Sequence, residues 1–224
     1  MIVAIDGPAG AGKSTIARRV AAKIGAVYID TGAMYRAVAL LALRSGIDLA
    51  DASRLEPLAR GADIRFEAGN SRVLLNGEDV TEAIRNPEVS PAASKISAIP
   101  GVRRVLVEKQ RSMGAAGSVV MEGRDIGTVV FPDADAKFFL TASAEVRGRR
   151  RHAELAAKGD AATLEQVLAD QERRDRDDST RSVAPLRPAE DAVRVDTSGL
   201  ALDAVVDRLA GEVAARLVRQ GRSG

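Results

Sequence analysis

The sequence predicts an α/β fold in which a central parallel sheet is flanked by helices. Three observations point to it. The first 45 residues read strand, loop, helix, strand, helix, an order that needs right-handed crossovers between parallel strands. Hydrophobic residues make up 46% of the 224-residue chain but aromatics only 3%, so the core is built of Ala, Val, Ile and Leu, the usual material of a sheet covered on both faces. Short apolar runs then return between helical stretches in the second half of the chain.

The elements follow in order. Met1 to Asp6 is an apolar run stopped by glycine and reads as a buried strand. From Lys13 the period changes: Ile16, Val20 and Ile24 recur at helical spacing until Gly25 closes the helix. Ala26 to Ile29 is a second strand, and Ala33 to Arg44 a helix stopped by Gly46. The middle is different. Asp63 to Glu67 and Arg72 to Leu75 pair as a hairpin around Gly69-Asn70, with a further turn at Asn76-Gly77 and helices at roughly 88–98 and 101–113. Ser118 to Met121, Lys137 to Leu140 and Val193 to Val195 complete five strands, with a tight GRDIG turn after the third. Helices of about 144–158 and 163–176 lie between the last two strands. In the C-terminal helix Leu202, Val205, Val206, Leu209, Val213 and Leu217 form one stripe.

Bulk properties exclude several classes of function. With 33 Lys and Arg against 31 acids, the net charge of +2 gives no reason to invoke nucleic acid or membrane. The absence of cysteine removes disulfides, thiolate metal sites and Cys nucleophiles. MIVAIDGPAG lacks the features of a signal peptide, and no run approaches the ~20 apolar residues of a membrane span. A soluble cytoplasmic protein is expected, and a monomer, since no long apolar face is left over.

The strongest motif is Gly7-Pro8-Ala9-Gly10-Ala11-Gly12-Lys13-Ser14, which matches G-x-x-x-x-G-K-[ST] between a strand and a helix. Its glycines let backbone N–H groups of residues 7–15, through Thr15, turn toward phosphate oxygens, and the helix presents its positive end to the same anion. Lys13 reaches the β- and γ-phosphates of ATP and the Ser14 hydroxyl is placed to ligate Mg²⁺. The loop alone names no reaction. No N-K-x-D follows to read guanine, and Val119-Val120-Met121-Glu122 runs into Gly123-Arg124 where a motor ATPase would place a second acid.

The other candidate residues lie at strand ends. Asp30-Thr31-Gly32-Ala33-Met34-Tyr35-Arg36 follows the second strand, with Asp30 or Thr31 as a helix cap and Tyr35 and Arg36 facing an acceptor phosphate. Gly123-Arg124-Asp125-Ile126-Gly127 ends the central strand, where Arg beside Asp is costly unless both meet partners. Arg147, Arg149, Arg150 and Arg151 put four guanidiniums in five residues with no acid between them, so they repel until an anion arrives, as in a lid that delivers Arg to a γ-phosphate. The run Arg173 to Arg181 mixes signs and reads equally well as a self-paired surface. His152, the single histidine, is given no role.

Together GPAGAGKST, DTGAMYRA, EGRDIGTVVFPDA and RDDSTRSVAPL resemble bacterial cytidylate kinase, a P-loop nucleoside monophosphate kinase, from Met1 to about Val218. The resemblance implies a P-loop NTPase fold with a five-stranded parallel sheet. It implies a single domain whose core is 1–59, 96–145 and 186–224, with a nucleotide-binding insert at about 60–95 and a helical lid at about 146–185. It implies transfer of the ATP γ-phosphate to CMP or dCMP with Mg²⁺. Arg36, Arg124 and Arg181 would hold the acceptor phosphate, with Tyr35 lining that site; Asp30 and Thr31, read from the strand end, join it as candidates, and Arg151 is the candidate from the arginine cluster of the lid. Arg174 and Asp178 would contact the sugar hydroxyls, and Ser94, Arg103 and Asp125 would read the cytosine edge. Ala9 departs from the family, where many members carry Ser, but backbone N–H groups do most of the cradling there.

The base chemistry agrees on its own terms. Cytosine places an amino donor beside the N3 and O2 acceptors, whereas uracil reverses the first two, so a carboxylate or hydroxyl paired with a guanidinium accepts one and leaves unmet groups against the other. Two other readings stay open at this level: a kinase for another small acceptor such as UMP or shikimate, and a nucleotide-binding module whose ATP state gates a partner.

Overall fold

The computed structural model describes residues 1–67, 72–157, 159–219 and 221. The first half runs β1 (Ile2–Asp6), α1 (Lys13–Ile24), β2 (Val27–Asp30), α2 (Thr31–Arg44), α3 (Ala52–Gly61), β3 (Ile64–Phe66), β4 (Val73–Leu75), β5 (Glu78–Asp79), α4 (Val89–Ser97) and α5 (Pro100–Ala115). The second half runs β6 (Val119–Gly123), β7 (Ala136–Thr141), α6 (Ala144–Ala156), α7 (Leu164–Thr180), β8 (Val193–Asp196) and α8 (Leu202–Arg219). The five-stranded sheet has the order β2-β6-β1-β7-β8, and β1 lies parallel to both β6 and β7, as β7 does to β8. This is the predicted architecture. Among the described residues no helix is long and apolar enough to cross a membrane.

The chain divides into two compact units, one of Met1–Ala26 with Ser118–Gly224 and one of Val27–Gly117. In the first, Val3, Ile5, Val120, Phe138 and Leu140 are buried in the sheet, and Val20 of α1 and Leu209 of α8 are buried on the helices. In the second, Met34, Leu55, Ile84, Ile96 and Leu106 gather helices and small strands into a separate core. There β3, β4 and β5 form an antiparallel sheet, with Ile64 opposite Leu75 and Leu75 opposite Glu78. The turn at Gly69-Asn70 lies outside the described residues, while Asn76-Gly77 is a turn with positive φ at both positions.

Four expectations need correction. Helix α2 begins at Thr31, two residues early, because the Asp30 carboxylate accepts from Ala33 N at 2.9 Å and caps it there. Helix α3 was missing from the pattern, although Asp51 caps it by accepting from Arg54 N at 3.1 Å. After β6 the chain makes no tight turn. It winds into a π-helical turn, Ile126–Val130, in which Phe131 N donates to Ile126 O at 2.7 Å. On α8 the inner stripe is Val205, Val206, Leu209 and Val213, whereas Leu202 is 38% exposed and Leu217 only half-buried.

Candidate active site

In the first unit the site begins at the carboxyl end of β1. Gly7 to Gly12 form a loop that ends on the first turn of α1, where Lys13 is buried and Ser14 and Thr15 are exposed. Two glycines show why the sequence needs no side chain there. A Cβ on Gly7 would lie 2.1 Å from Leu140 O, and Gly10, at φ +75°, would place one 3.0 Å from Arg147 Cβ. The loop therefore hugs β7 and α6. Lys13 Nζ donates to Pro8 O at 2.7 Å. Burial, aided by the nearby Arg124 charge, lowers the Lys13 ammonium to about 7 against the pull of Glu122, Asp6 and Asp178.

Asp6, the last residue of β1, ties this loop to the next one. Its two carboxylate oxygens accept from Ile126 N and Gly127 N, each at 2.8 Å, and so hold the start of the π-helical turn. Burial raises the Asp6 carboxyl to about 6 despite those two bonds. The β1–β6 register sets Asp6 beside Gly123, so the glycine before Arg124 sits level with the residue before the phosphate loop.

Arg124 finds the partner that its place beside Asp125 demands. Asp125 is buried. Arg124 Nε donates to Asp178 Oδ2 at 2.9 Å, and Arg181 Nη2 donates to Asp178 Oδ1 at 2.6 Å. One carboxylate on α7 thus holds two guanidiniums side by side. Burial works against the Asp178 charge, but Arg124, Arg181 and the neighbouring Arg174 together hold its carboxyl below the usual range. Two like charges so fixed make a ready anion receptor.

The four arginines of α6 do not await an anion together, as the sequence suggested. Arg147 turns inward to Asp175 at 2.7 Å, Arg149 pairs with Glu145 at 2.7 Å, and Arg151 with Glu154 at 3.3 Å. Arg150 donates to Thr197 Oγ1 and O at 3.1 and 2.8 Å, and Thr197 Oγ1 in turn donates to Ala11 O at 3.2 Å. A helix spreads neighbouring side chains around its axis, so each reaches a different acid or carbonyl. Farther along, Arg173 and Arg176 pair with Asp170 and Glu172 on α7 itself, as a self-paired surface would.

In the second unit, Arg36 Nη2 donates to the second Asp30 oxygen at 2.9 Å, so Asp30 caps α2 and holds Arg36 at once. Arg36 Nε is buried with no hydrogen-bond partner among the described residues. Arg103, buried on α5, stacks its guanidinium 5.7 Å from the Tyr35 ring centroid and donates to Ser97 O at 3.2 Å. Ser94 is half-buried on α4, and its carbonyl accepts from Ser97 Oγ at 2.7 Å. Tyr35 and Arg103 are therefore in direct contact, with Ser94 joined to Arg103 through Ser97, while Arg36 is tied to Asp30.

Sequence reasoning missed Asp6, Asp175 and Thr197. Of these only Asp6 carried a signal, a carboxylate at the end of an otherwise apolar buried strand.

A parallel sheet whose first strand delivers a G-x-x-x-x-G-K-S loop onto a helix defines a P-loop nucleotide-binding protein. The sequence profile described as Cytidylate kinase matches residues 3–215. A cytidylate kinase of Geobacter sp. (strain M21) is 53% identical over 100% of this chain and 97% of its own length. One from Solibacter usitatus (strain Ellin6076) is 55% identical over 99% and 95%, and one from Syntrophotalea carbinolica is 54% identical over 96% and 93%. The chain belongs to the cytidylate kinase family.

Proposed function

We propose that this chain transfers the γ-phosphate of ATP to CMP or dCMP, giving ADP and CDP or dCDP. The observation that carries the reading is the Arg124–Asp178–Arg181 arrangement in the same unit as the phosphate loop, within a chain that matches cytidylate kinases end to end.

The acceptor's phosphate oxygen is itself the nucleophile and needs no strong base, so catalysis reduces to alignment and charge neutralisation. Lys13 and the loop N–H groups of residues 7–15 bind the donor phosphates. Arg36, Arg124 and Arg181 bind the acceptor phosphate, with Tyr35, Asp30 and Thr31 beside it. Arg174 and Asp178 serve the sugar, and Ser94, Arg103 and Asp125 the cytosine edge. The segments of about 60–95 and 146–185 act as nucleotide-binding insert and lid, the latter bringing Arg151.

The first turn of α1 suits Mg²⁺, since the Ser14 hydroxyl is exposed there. Among the described residues no cluster of three or more His, Cys, Asp or Glu could hold a metal alone, so Ser14 would share the ion with the nucleotide phosphates. When bound, Mg²⁺ neutralises charge on the β- and γ-phosphates.

ADP release from Mg-ATP with CMP, dCMP, UMP, AMP, GMP and shikimate offered in turn tests the reading. Stimulation by CMP and dCMP alone is expected. Stimulation by a different acceptor would keep the kinase and overturn the base-reading residues, and none at all would overturn the reaction.

A further inference from the structure

Arg147 takes no part in the reaction set out above, yet it is the most enclosed of the α6 arginines, its side chain 8% exposed. Three donors of one guanidinium are engaged in three directions. Nη1 donates to Ala9 O at 3.0 Å, Nε to Ala142 O at 3.0 Å, and Nη2 meets Asp175 Oδ2 at 2.7 Å. The first partner belongs to the phosphate loop, the second to the short link between β7 and α6, the third to α7. The helices that frame this contact are packed tightly: a Cβ on Gly148 would lie 2.3 Å from Leu168 Cδ2, and Gln171 Nε2 donates to Ala144 O at 3.2 Å.

The Ala9 carbonyl and the Gly10 N–H lie in one peptide plane and point in opposite directions. A donor that fixes Ala9 O on the outer side of the loop therefore fixes Gly10 N–H toward the inner side. The absence of a side chain at Gly10 lets Arg147 come that close, its Cβ 3.0 Å from where a Gly10 Cβ would stand.

We infer that Arg147 is a positioning residue for the donor nucleotide: it sets the Ala9–Gly10 peptide so that the Gly10 N–H faces phosphate, and Asp175 holds Arg147 in that pose. The inference rests on the loop's assignment to ATP given above. Asp175 lies one turn before Asp178, so one face of α7 steadies the donor loop through Arg147 and the Arg124–Arg181 pair directly. Arginine suits this task because its planar fork serves three diverging acceptors, which a lysine ammonium on its flexible stem cannot.

The test is calorimetric Kd for ATP and for CMP, with kcat and melting temperature, for wild type, Arg147→Met, Arg147→Lys, Asp175→Asn and the Arg147→Met/Asp175→Asn pair. Arg147→Met should weaken ATP by about tenfold or more, the scale of one lost charge-assisted hydrogen bond, and change CMP by less than about threefold. Arg147→Lys should recover part of the loss. Asp175→Asn should weaken ATP less than Arg147→Met, and the double variant no more than Arg147→Met. Unchanged ATP affinity would overturn the inference. So would equal losses for ATP and CMP alongside a lowered melting temperature, or a fall in kcat with ATP affinity intact. If Arg147→Met does not fold, the Lys and Asn variants decide by the same readings. Failure of wild type to bind ATP would instead overturn the loop's assignment.

Discussion

Lys13 donates to the carbonyl oxygen of Pro8 at 2.7 Å, across the Gly7–Gly12 loop that we propose takes the ATP phosphates. Burial lowers the ammonium to about 7 and Arg124 adds repulsion, which Glu122, Asp6 and Asp178 only partly offset. Phosphate oxygens brought to the loop should restore its hold on the proton.

ATP binding at pH 8 should therefore take up about one proton, read as a dependence of binding enthalpy on buffer ionisation. Lys13→Met should abolish that uptake, and Lys13→Ala should lower turnover by orders of magnitude with the fold intact. A binding enthalpy indifferent to buffer would refute the protonation argument, and near-normal turnover of Lys13→Ala the role itself. The same shift has a stability sign. The unfolded chain holds this proton between about 7 and the ordinary lysine value of 10.5 while the folded chain does not. Lys13 thus makes folding more favourable as pH rises through that window.

Asp6→Asn replaces one of two acceptor oxygens with a donor that faces another donor, the Ile126 or Gly127 N–H. A cost of ~1–3 kcal/mol in urea unfolding is expected, together with slower turnover because the π-helical turn that follows Arg124–Asp125 loses its fixed start. The Asp6 carboxyl, held near 6 in the fold against 3.8 unfolded, favours the folded state most below the lower value and least above the upper. The stability gap between wild type and Asp6→Asn should accordingly narrow from pH 4 to 6.

Removing the carboxylate between two guanidiniums is predicted to act on one substrate. Asp178→Ala should raise KM for CMP by ~10-fold or more, since Arg124 and Arg181 lose their common partner and repel. ATP affinity should change by less than about threefold. Steady-state kinetics with each substrate varied in turn checks this, and an equal rise in both KM values would count against it.

Asp125→Ala should erode the preference for CMP over UMP more than it slows the better substrate. One unmet polar group is worth ~1–3 kcal/mol, or roughly 5- to 150-fold in the ratio of kcat/KM values. An unchanged ratio removes Asp125 from base reading.

The sheet and the phosphate loop were legible because apolar runs such as Ile2–Ile5 end abruptly at acids or glycines, and a fixed motif sits between strand and helix. Helix α3 was not, because Pro57 interrupts a ten-residue segment with only Leu55 and Ala59 buried. The π-helical turn left no trace in the pattern, since its stability comes from Asp6, far away in sequence. For α6 the count of guanidiniums was right and their meaning was not. A run of charges says nothing about which turn of the helix faces Asp175 or Ala9, and those partners decide what each arginine does.

The pairing of Asp6 with Gly123 in adjacent parallel strands also works as a ruler. Neighbouring strands are spaced by ~4.8 Å, and a shift that keeps the same faces inward must move two residues, ~6.6 Å. No gradual drift can bring the phosphate loop nearer to Arg124 or farther from it. The gap between the two loops is inherited from peptide geometry, so change in this chain is confined to what the loops present and leaves their separation alone.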